Sequence, residues 1–448
     1  MKGRLLIIFL LFNFVLHAQN DFRLPFKQNS TKIKFQLINN LIVIPVVVND
    51  IKLSFILDTG IGSTIVFSVD DTISFKHKNI SKIQLRGLGN DEPVEAMRTV
   101  NNVIKIGDAL SISHTIYKVL DASINFSPRM GTIIHGVIGY DFFKDFVFDV
   151  NYAKEYIRIY KPEFYKYKKC RKCYQTKLYL RDGNKKPFVA AKYMSENRLI
   201  DVNLLLDSGS GSSLWLFKNV EKGILITRKS FRDFLGKGFN GNVYGEKTKI
   251  KEFHIGNFKM KEVKASFPDS IYTQRMSLID REGSLGGDIL HRFNLIVDYS
   301  GQKISFKKNG FYNKPFYYNM SGIIVQHRGY TAINDYDING IKKESYTEKN
   351  EAYLGVDNIV SEQKLVVSDN FILKPKYEIS NIRQGSPADL AGLKKGDILL
   401  QVNGINAYKY KLSDLNNLFS SEEGKKIKIK VKRLGVEMKY KFYLKKVI

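Results

Sequence analysis

Two short segments bring together the residue types of acid–base chemistry. Leu57-Asp58-Thr59-Gly60 and Leu206-Asp207-Ser208-Gly209 each place a carboxylate after an apolar run, Leu53–Leu57 in one case and Leu204–Leu206 in the other. A carboxylate that leaves a buried strand is desolvated, and desolvation raises its pKa. The glycine allows a tight turn and lets backbone N–H groups face the carboxylate. The hydroxyl of Thr59 or Ser208 is placed to reach across to another loop. If the two segments meet, carboxylates about 3 Å apart cannot both ionise and share one proton. Such a pair holds a base that activates water and an acid that protonates a carbonyl or a leaving amine, with no covalent intermediate. Either triplet alone reads better as a turn after a strand.

The wider sequence pairs them. Gly136-Val137-Ile138-Gly139-Tyr140-Asp141-Phe142-Phe143 aligns with Gly283-Ser284-Leu285-Gly286-Gly287-Asp288-Ile289-Leu290 at an offset of 147 residues. The match continues through Phe146 and Phe293, Val150-Asn151-Tyr152 and Val297-Asp298-Tyr299, and Ile157 and Ile304. The triplets themselves recur at an offset of 149. Two signatures in the same order at nearly the same spacing define two related lobes, expected over residues 19–165 and 166–310.

Both lobes read as β-rich. Ile42–Val48 and Ile51–Leu57 flank the turn signal Asn49-Asp50. Phe188–Met194 and Leu199–Leu206 repeat the arrangement around Ser195–Arg198. Phe148–Ile159 and Val297–Phe306 are expected as matching closing hairpins.

The triplets and the apolar-apolar-Gly segments Val137-Ile138-Gly139 and Ser284-Leu285-Gly286 resemble aspartic peptidases of the pepsin and retropepsin type. The resemblance covers residues 30–310 and is nearest to bacterial retropepsin-like proteins, in which two copies in one chain replace a homodimer. It implies a mainly β chain with two pseudo-symmetric, double-psi-barrel-like lobes, and aspartic-type endopeptidase activity without a cofactor or metal. It casts Asp58 and Asp207 as the catalytic pair, with Thr59, Gly60, Ser208 and Gly209 shaping the loops. Ile61 and Ser284 depart from the usual pattern: the family often has Ala or Ser at the first position and an apolar residue at the second. Gly-rich stretches about 30 residues past each Asp are candidate flaps, Gly87-Leu88-Gly89 and Gly236–Gly245, with Gly87, Gly89, Gly241 and Tyr244 as their key residues. Gly236–Gly241 also fits G-x-G-x-x-G but lacks the strand–helix setting of a dinucleotide site.

Residues 311–345 read as linker and irregular structure, and 346–448 as a small α/β domain. Its core is Gly385-Ser386-Pro387-Ala388-Asp389-Leu390-Ala391-Gly392-Leu393-Lys394-Lys395-Gly396-Asp397-Ile398-Leu399, running on to Asn403-Gly404. This stretch resembles a bacterial PDZ domain. The resemblance implies capture of peptide C-termini by strand addition. The carboxylate-binding loop is expected at Leu354-Gly355-Val356 or near Phe371-Ile372-Leu373.

Composition narrows the setting. The chain has 448 residues and a formal net charge of +27. Lys and Arg are spread throughout and alternate along strands, as in Lys426–Lys432, a pattern of solvated faces rather than a nucleic-acid stripe. Residues 1–18 carry two charges, an apolar run and a small residue before Gln19, the pattern of a signal for export to the periplasm or beyond. Cys170 and Cys173, the only cysteines, suit a local disulfide near the lobe connection. The partners expected are a peptide or protein substrate and a C-terminal peptide ligand, for a monomer that binds no nucleic acid. A peptide-binding protein on the same scaffold, without catalysis, is the alternative.

Overall fold

The computed structural model describes residues 21–67, 81–87, 89, 92–121, 124–181, 183, 185–238, 240–277, 281–334 and 371–448. The expected signal segment, Leu88, and Leu354-Gly355-Val356 lie outside these. The chain divides into two units: residues up to Met320 together with Lys445–Ile448, and Ser321–Leu444.

In the first unit, strands form where the apolar alternation predicts them. Lobe one contributes β1 (Ser30–Lys34), β2 (Gln36–Ile38), β3 (Leu41–Val48), β4 (Ile51–Leu57), β5 (Thr64–Val66) and β6 (Ser81–Leu85). It continues with β7 (Val94–Ile106), β8 (Ala109–Val119), β9 (Gly136–Ile138), β10 (Val147–Asn151) and β11 (Tyr156–Tyr160). Lobe two contributes β12 (Cys173–Lys177), β13 (Tyr179–Arg181), β14 (Lys186–Ser195), β15 (Arg198–Asp207), β16 (Leu214–Leu216) and β17 (Ser230–Gly238). Then follow β18 (Gly241–Ile255), β19 (Phe258–Pro268), β20 (Gly283–Gly286), β21 (Phe293–Asp298) and β22 (Lys303–Lys308). Asn49 and Asp50 both take positive φ, which a two-residue hairpin turn requires, so β3 and β4 pair directly.

The lobes repeat one topology. Lobe one orders its sheet β2-β3-β4-β9-β5-β8-β7-β6, and lobe two β13-β14-β15-β20-β16-β19-β18-β17. In each, the apolar-apolar-Gly segment lies parallel to the strand that delivers the Asp: Leu57 beside Ile138, Asp207 beside Gly286. This crossing admits no side chain at the glycine. A Cβ on Gly139 would sit 2.3 Å from the Asp58 and Ile61 carbonyl oxygens, and one on Gly286 would sit 2.2 Å from the Ser212 oxygen. Short helices α1 (Tyr140–Phe143) and α2 (Gly287–Leu290) follow. Their buried carboxylates tie back to the strand beyond each Asp loop: Asp141 accepts from Thr64 N, and Asp288 from Ser213 Oγ.

A sheet of order β1-β11-β10-β21-β22-β12 joins the lobes. At its centre β10 and β21 run antiparallel, and Asp149 faces Ile296, its own counterpart 147 residues on. Phe148 faces Val297 and Val150 faces Leu295, so exchanging the lobes reproduces the register. The pseudo-twofold axis therefore passes between Asp149 and Ile296. Beside this sheet, Cys170 and Cys173 form a disulfide, with Cα atoms 5.4 Å apart, at the entry to β12.

The second unit holds β23 (Ile323–Asn334), β24 (Phe371–Ile382), β25 (Ile398–Val402), β26 (Ile405–Asn406), β27 (Lys426–Arg433) and β28 (Val436–Tyr443), with helices α3 (Pro387–Leu390) and α4 (Leu412–Phe419). One expectation is corrected here. The stretch 311–345, read as linker, contains the twelve-residue strand β23, and the unit starts at Ser321 rather than 346. Only Ile323-Ile324-Val325 carries a β signal before polar residues take over, and the pairing with β24 shifts register between His327 and Tyr330, around Gly329. That irregularity hides the alternation. Phe371-Ile372-Leu373, one candidate for a carboxylate-binding loop, lies within β24 and pairs with Ile333, among others, on β23.

Gly139→Ala should destabilise the two-lobed unit by about 2 kcal/mol or more, because the new methyl meets backbone on two sides. Gly310→Ala, where a Cβ meets nothing within 4 Å, should change stability by less than about 0.5 kcal/mol. Urea unfolding followed by the single tryptophan, Trp215, measures both.

Candidate functional site

The two Asp loops meet, and their hydroxyl residues exchange hydrogen bonds. Thr59 Oγ1 donates to the Leu206 carbonyl at 2.6 Å and accepts from Ser208 N at 2.9 Å. Ser208 Oγ donates to the Leu57 carbonyl at 2.8 Å and accepts from Thr59 N at 3.0 Å. Each hydroxyl thus ties together the residues on both sides of the opposite aspartate. Thr59 and Ser208 are both buried. Tyr299, from the end of β21, also lies against this junction, its Oη 3.5 Å from the Thr59 oxygen.

Asp58 and Asp207 consequently share one enclosed space. A Cβ placed on Gly60 would lie 3.1 Å from an oxygen of each carboxylate. A Cβ on Gly209 would overlap the Asp58 carboxylate at 2.1 Å, so both loop glycines are needed for close approach. The backbone N–H of Gly60 donates to Asp58 at 2.7 Å, and Gly209 N–H donates to it as well. Asp207 is held by the N–H groups of Gly209 and Ser210.

The two acids are not electrostatically alike. Burial, then the negative charge of Asp207, pushes Asp58 up to about 7. Burial raises Asp207 too, but Arg281 opposes the rise most strongly among its neighbours. Lys186, at the start of β14, favours the charged form of both. The pair can therefore hold one proton on Asp58 and one negative charge on Asp207, an acid and a base side by side.

Neighbouring turns are exchanged between lobes. Asn40 Nδ2 donates to the Gly211 carbonyl at 3.0 Å, so the β2–β3 turn supports the second Asp loop. Lys185, in the β13–β14 turn, packs on Gly62 of the first, its Cδ 3.2 Å from where a Cβ would stand.

The flap candidates fall at the β6–β7 and β17–β18 connections, and their tips touch. Gly89 bridges Asn240 backbone to backbone. Asn240 Oδ1 accepts from Gly87 N, and its Nδ2 donates to the Glu92 carbonyl at 2.6 Å. Gly241 takes a positive φ of 97°, which lets β18 start directly after the turn. Tyr244 lies on β18, its ring 5.6 Å from that of Phe234 opposite, and the Arg129 guanidinium sits 4.4 Å above Phe234. Sequence reasoning did not find Asn240, Lys186, Arg281 or Tyr299. Two signals pointed near them: Tyr299 matches Tyr152 in the repeat, and Asn240 falls within the candidate flap Gly236–Gly245.

In the second unit β23 pairs only with β24 among the described residues, leaving an edge, and α4 packs against β23. The chain enters β23 through Gly322, at a φ of 83°.

The raised pKa of Asp58 has a consequence for stability. Between its ordinary value of 3.8 and about 7, the unfolded chain releases a proton that the folded chain keeps. Stability from this group is therefore full below pH 3.8 and is lost as pH rises towards 7. Asp58→Asn removes that loss. Relative to the wild type it should gain at least about 1 kcal/mol between pH 4 and pH 8. Urea unfolding followed by Trp215 emission checks this, and a pH-independent difference would contradict it.

No curated protein matches the chain. Residues 378–433 match the PDZ domain family, a stretch running from within β24 to the end of β27. The C-terminal unit of this chain carries a PDZ domain.

Proposed function

We propose that the chain is an exported aspartic-type endopeptidase whose PDZ domain recruits peptide or protein substrates. The observation that carries this reading is the reciprocal crossing of Thr59 and Ser208, which puts two equivalent carboxylates in one buried site. In this reading Asp207 takes a proton from a water between the carboxylates as that water attacks the peptide carbonyl. Asp58 gives its proton to the carbonyl oxygen. As the resulting diol collapses, Asp207 passes its proton to the leaving nitrogen and Asp58 recovers one from the diol. The hairpins around Gly89 and Asn240 would close over the extended peptide and exclude water. Export is supported by the residue pattern of 1–18 and by the Cys170–Cys173 disulfide, which suits an oxidising compartment.

Peptide recognition by the PDZ domain is proposed to use the edge of β23 beside α4. A strand added antiparallel to that edge places its C-terminus at the start of β23, near the Gly322 turn. A protein that grips peptides without cutting them is the competing reading, because the PDZ domain binds peptides whether or not the dyad turns over.

Asp58→Asn and Asp207→Asn should each lower kcat/KM on an unfolded protein substrate by at least about a thousandfold, with near-UV circular dichroism unchanged. Full activity in either variant excludes the mechanism. The alkaline limb of the wild-type pH profile should fall with a midpoint near 7, as Asp58 loses its proton. A limb near pH 4 would contradict the assignment of the proton to Asp58. For the PDZ groove, a labelled peptide with a free C-terminus should bind the full chain at least about tenfold more tightly than its amide. Equal binding would exclude carboxylate capture.

A further inference from the structure

The lobes differ at one pair of opposed positions beside the Asp loops. In lobe one, Ile65 of β5 faces Val137 of β9; in lobe two, Trp215 of β16 faces Ser284 of β20. Directly opposed residues in a sheet project to the same face. In lobe one, Ile65 and Val137 cluster with the apolar Phe67, Val94 and Ile134. In lobe two, Trp215 clusters with Phe217, Leu235 and Val243, the last two from the β17–β18 hairpin. Here the position 147 residues after Ile134 is Arg281.

Arg281 is a cation in an unusual setting. Its guanidinium donates to Ser284 Oγ and, at 3.1 Å, to the Gly283 carbonyl, both neutral acceptors. It lies 5.3 Å over the Phe217 ring and makes no ion pair among the described residues. Enclosure lowers its pKa to about 10, and the charge of Asp207 works against that fall. Ser284, the polar residue in an otherwise apolar segment, is the group that holds it in place. A second polar group lies on the same face. Trp215 is 6% exposed, and its indole N–H has no hydrogen-bond acceptor among the described residues. A buried donor left unpaired costs free energy, and the charge of Asp207, which makes no direct ion pair with Arg281 among the described residues, offsets only part of the cost of enclosing that cation. One ligand feature answers both, a carboxylate with two acceptor oxygens.

We infer that the corner formed by Trp215, Phe217, Ser284 and Arg281 is a specificity subsite for an acidic side chain, Asp or Glu, of a peptide lying along the dyad. The matching corner of lobe one, lined by Ile65, Phe67, Ile134 and Val137, takes an apolar side chain. The peptide preferred is therefore acidic on one side of the dyad and apolar on the other. This inference rests on the proposal that the dyad binds an extended peptide, and not on its being cleaved.

The test uses full-length Asp58→Asn protein and fluorescein-labelled decapeptides blocked at both termini, so that no free carboxylate is offered to the PDZ domain. Each peptide carries Glu or Gln at one position in an apolar background. Binding is read by anisotropy. At one position Glu should bind at least tenfold more tightly than Gln, and adding Arg281→Gln should reduce that ratio below threefold. Trp215→Phe, which keeps an aromatic ring and removes the donor, should reduce the Glu affinity several-fold and provides the answer if the Arg281 variant does not fold. Equal affinity for Glu and Gln at every position, no binding at all, or a Glu preference that survives both substitutions overturns the subsite. If wild-type protein cleaves without acidic preference, the subsite fails and the peptidase reading stands. If nothing is cleaved while the Glu preference tracks Arg281, the subsite stands and cleavage fails.

Discussion

The exchange of hydrogen bonds between Thr59 and Ser208 is the constraint on which the first unit depends. Both hydroxyls are buried, and each satisfies a main-chain N–H and a carbonyl of the opposite loop. Each bond contributes only about 1 kcal/mol net, but removing one hydroxyl strands buried polar groups of the other lobe. The loops therefore lock together or not at all. The same closure brings Asp58 and Asp207 into one space, a placement that neither lobe achieves alone. Main-chain pairing of β10 with β21 sets the lobes about the same axis from beneath.

Enclosing two carboxylates is costly, and the surroundings show how the cost is distributed. N–H groups of Gly60, Gly209 and Ser210 face the carboxylates, which is possible only because the loop glycines leave room. Lys186 acts on both acids and Arg281 on Asp207 above all. The remaining imbalance falls on Asp58, which keeps its proton up to about pH 7. On the hairpin side, the Asn240 side chain serves two backbone groups of the opposite tip, beside the backbone bridge from Gly89.

What the sequence made legible was whatever repeats or alternates. The recurrence of Asp-Thr-Gly and Asp-Ser-Gly, followed by the Gly139 and Gly286 segments, located both Asp loops and the parallel strands behind them. Asn49-Asp50 and Asn403-Gly404 located turns, and both take the positive φ that such turns demand at Asn49, Asp50, Asn403 and Gly404. In the helix Leu412–Phe419, the buried Leu412, Leu415 and Phe419 recur at helical spacing, a pattern the sequence itself carries. What escaped was whatever occurs once. Strand β23 has a short apolar run and an irregular register, so it read as linker. Arg281 acts through neighbours distant in sequence, and no local pattern marks it; the glycines around Asn240 marked a turn but not the partners of its side chain. Ser284 stood out as a misfit in its segment, and only the position of Arg281 gives that misfit a physical reason.

The backbone register between β10 and β21 leaves the side chains of the two halves free to diverge. An assembly of two identical copies would have to put the same group beside both acids. Arg281 repeated by symmetry would favour charge on both carboxylates at once, and the single shared proton would be lost. Fusing two copies into one polypeptide removes that restriction. Ile134 can remain a hydrocarbon while its counterpart becomes a guanidinium, and the duplicated halves can specialise as acid and base. The covalent link between the lobes is thus what permits inequality at the centre of an otherwise symmetric body.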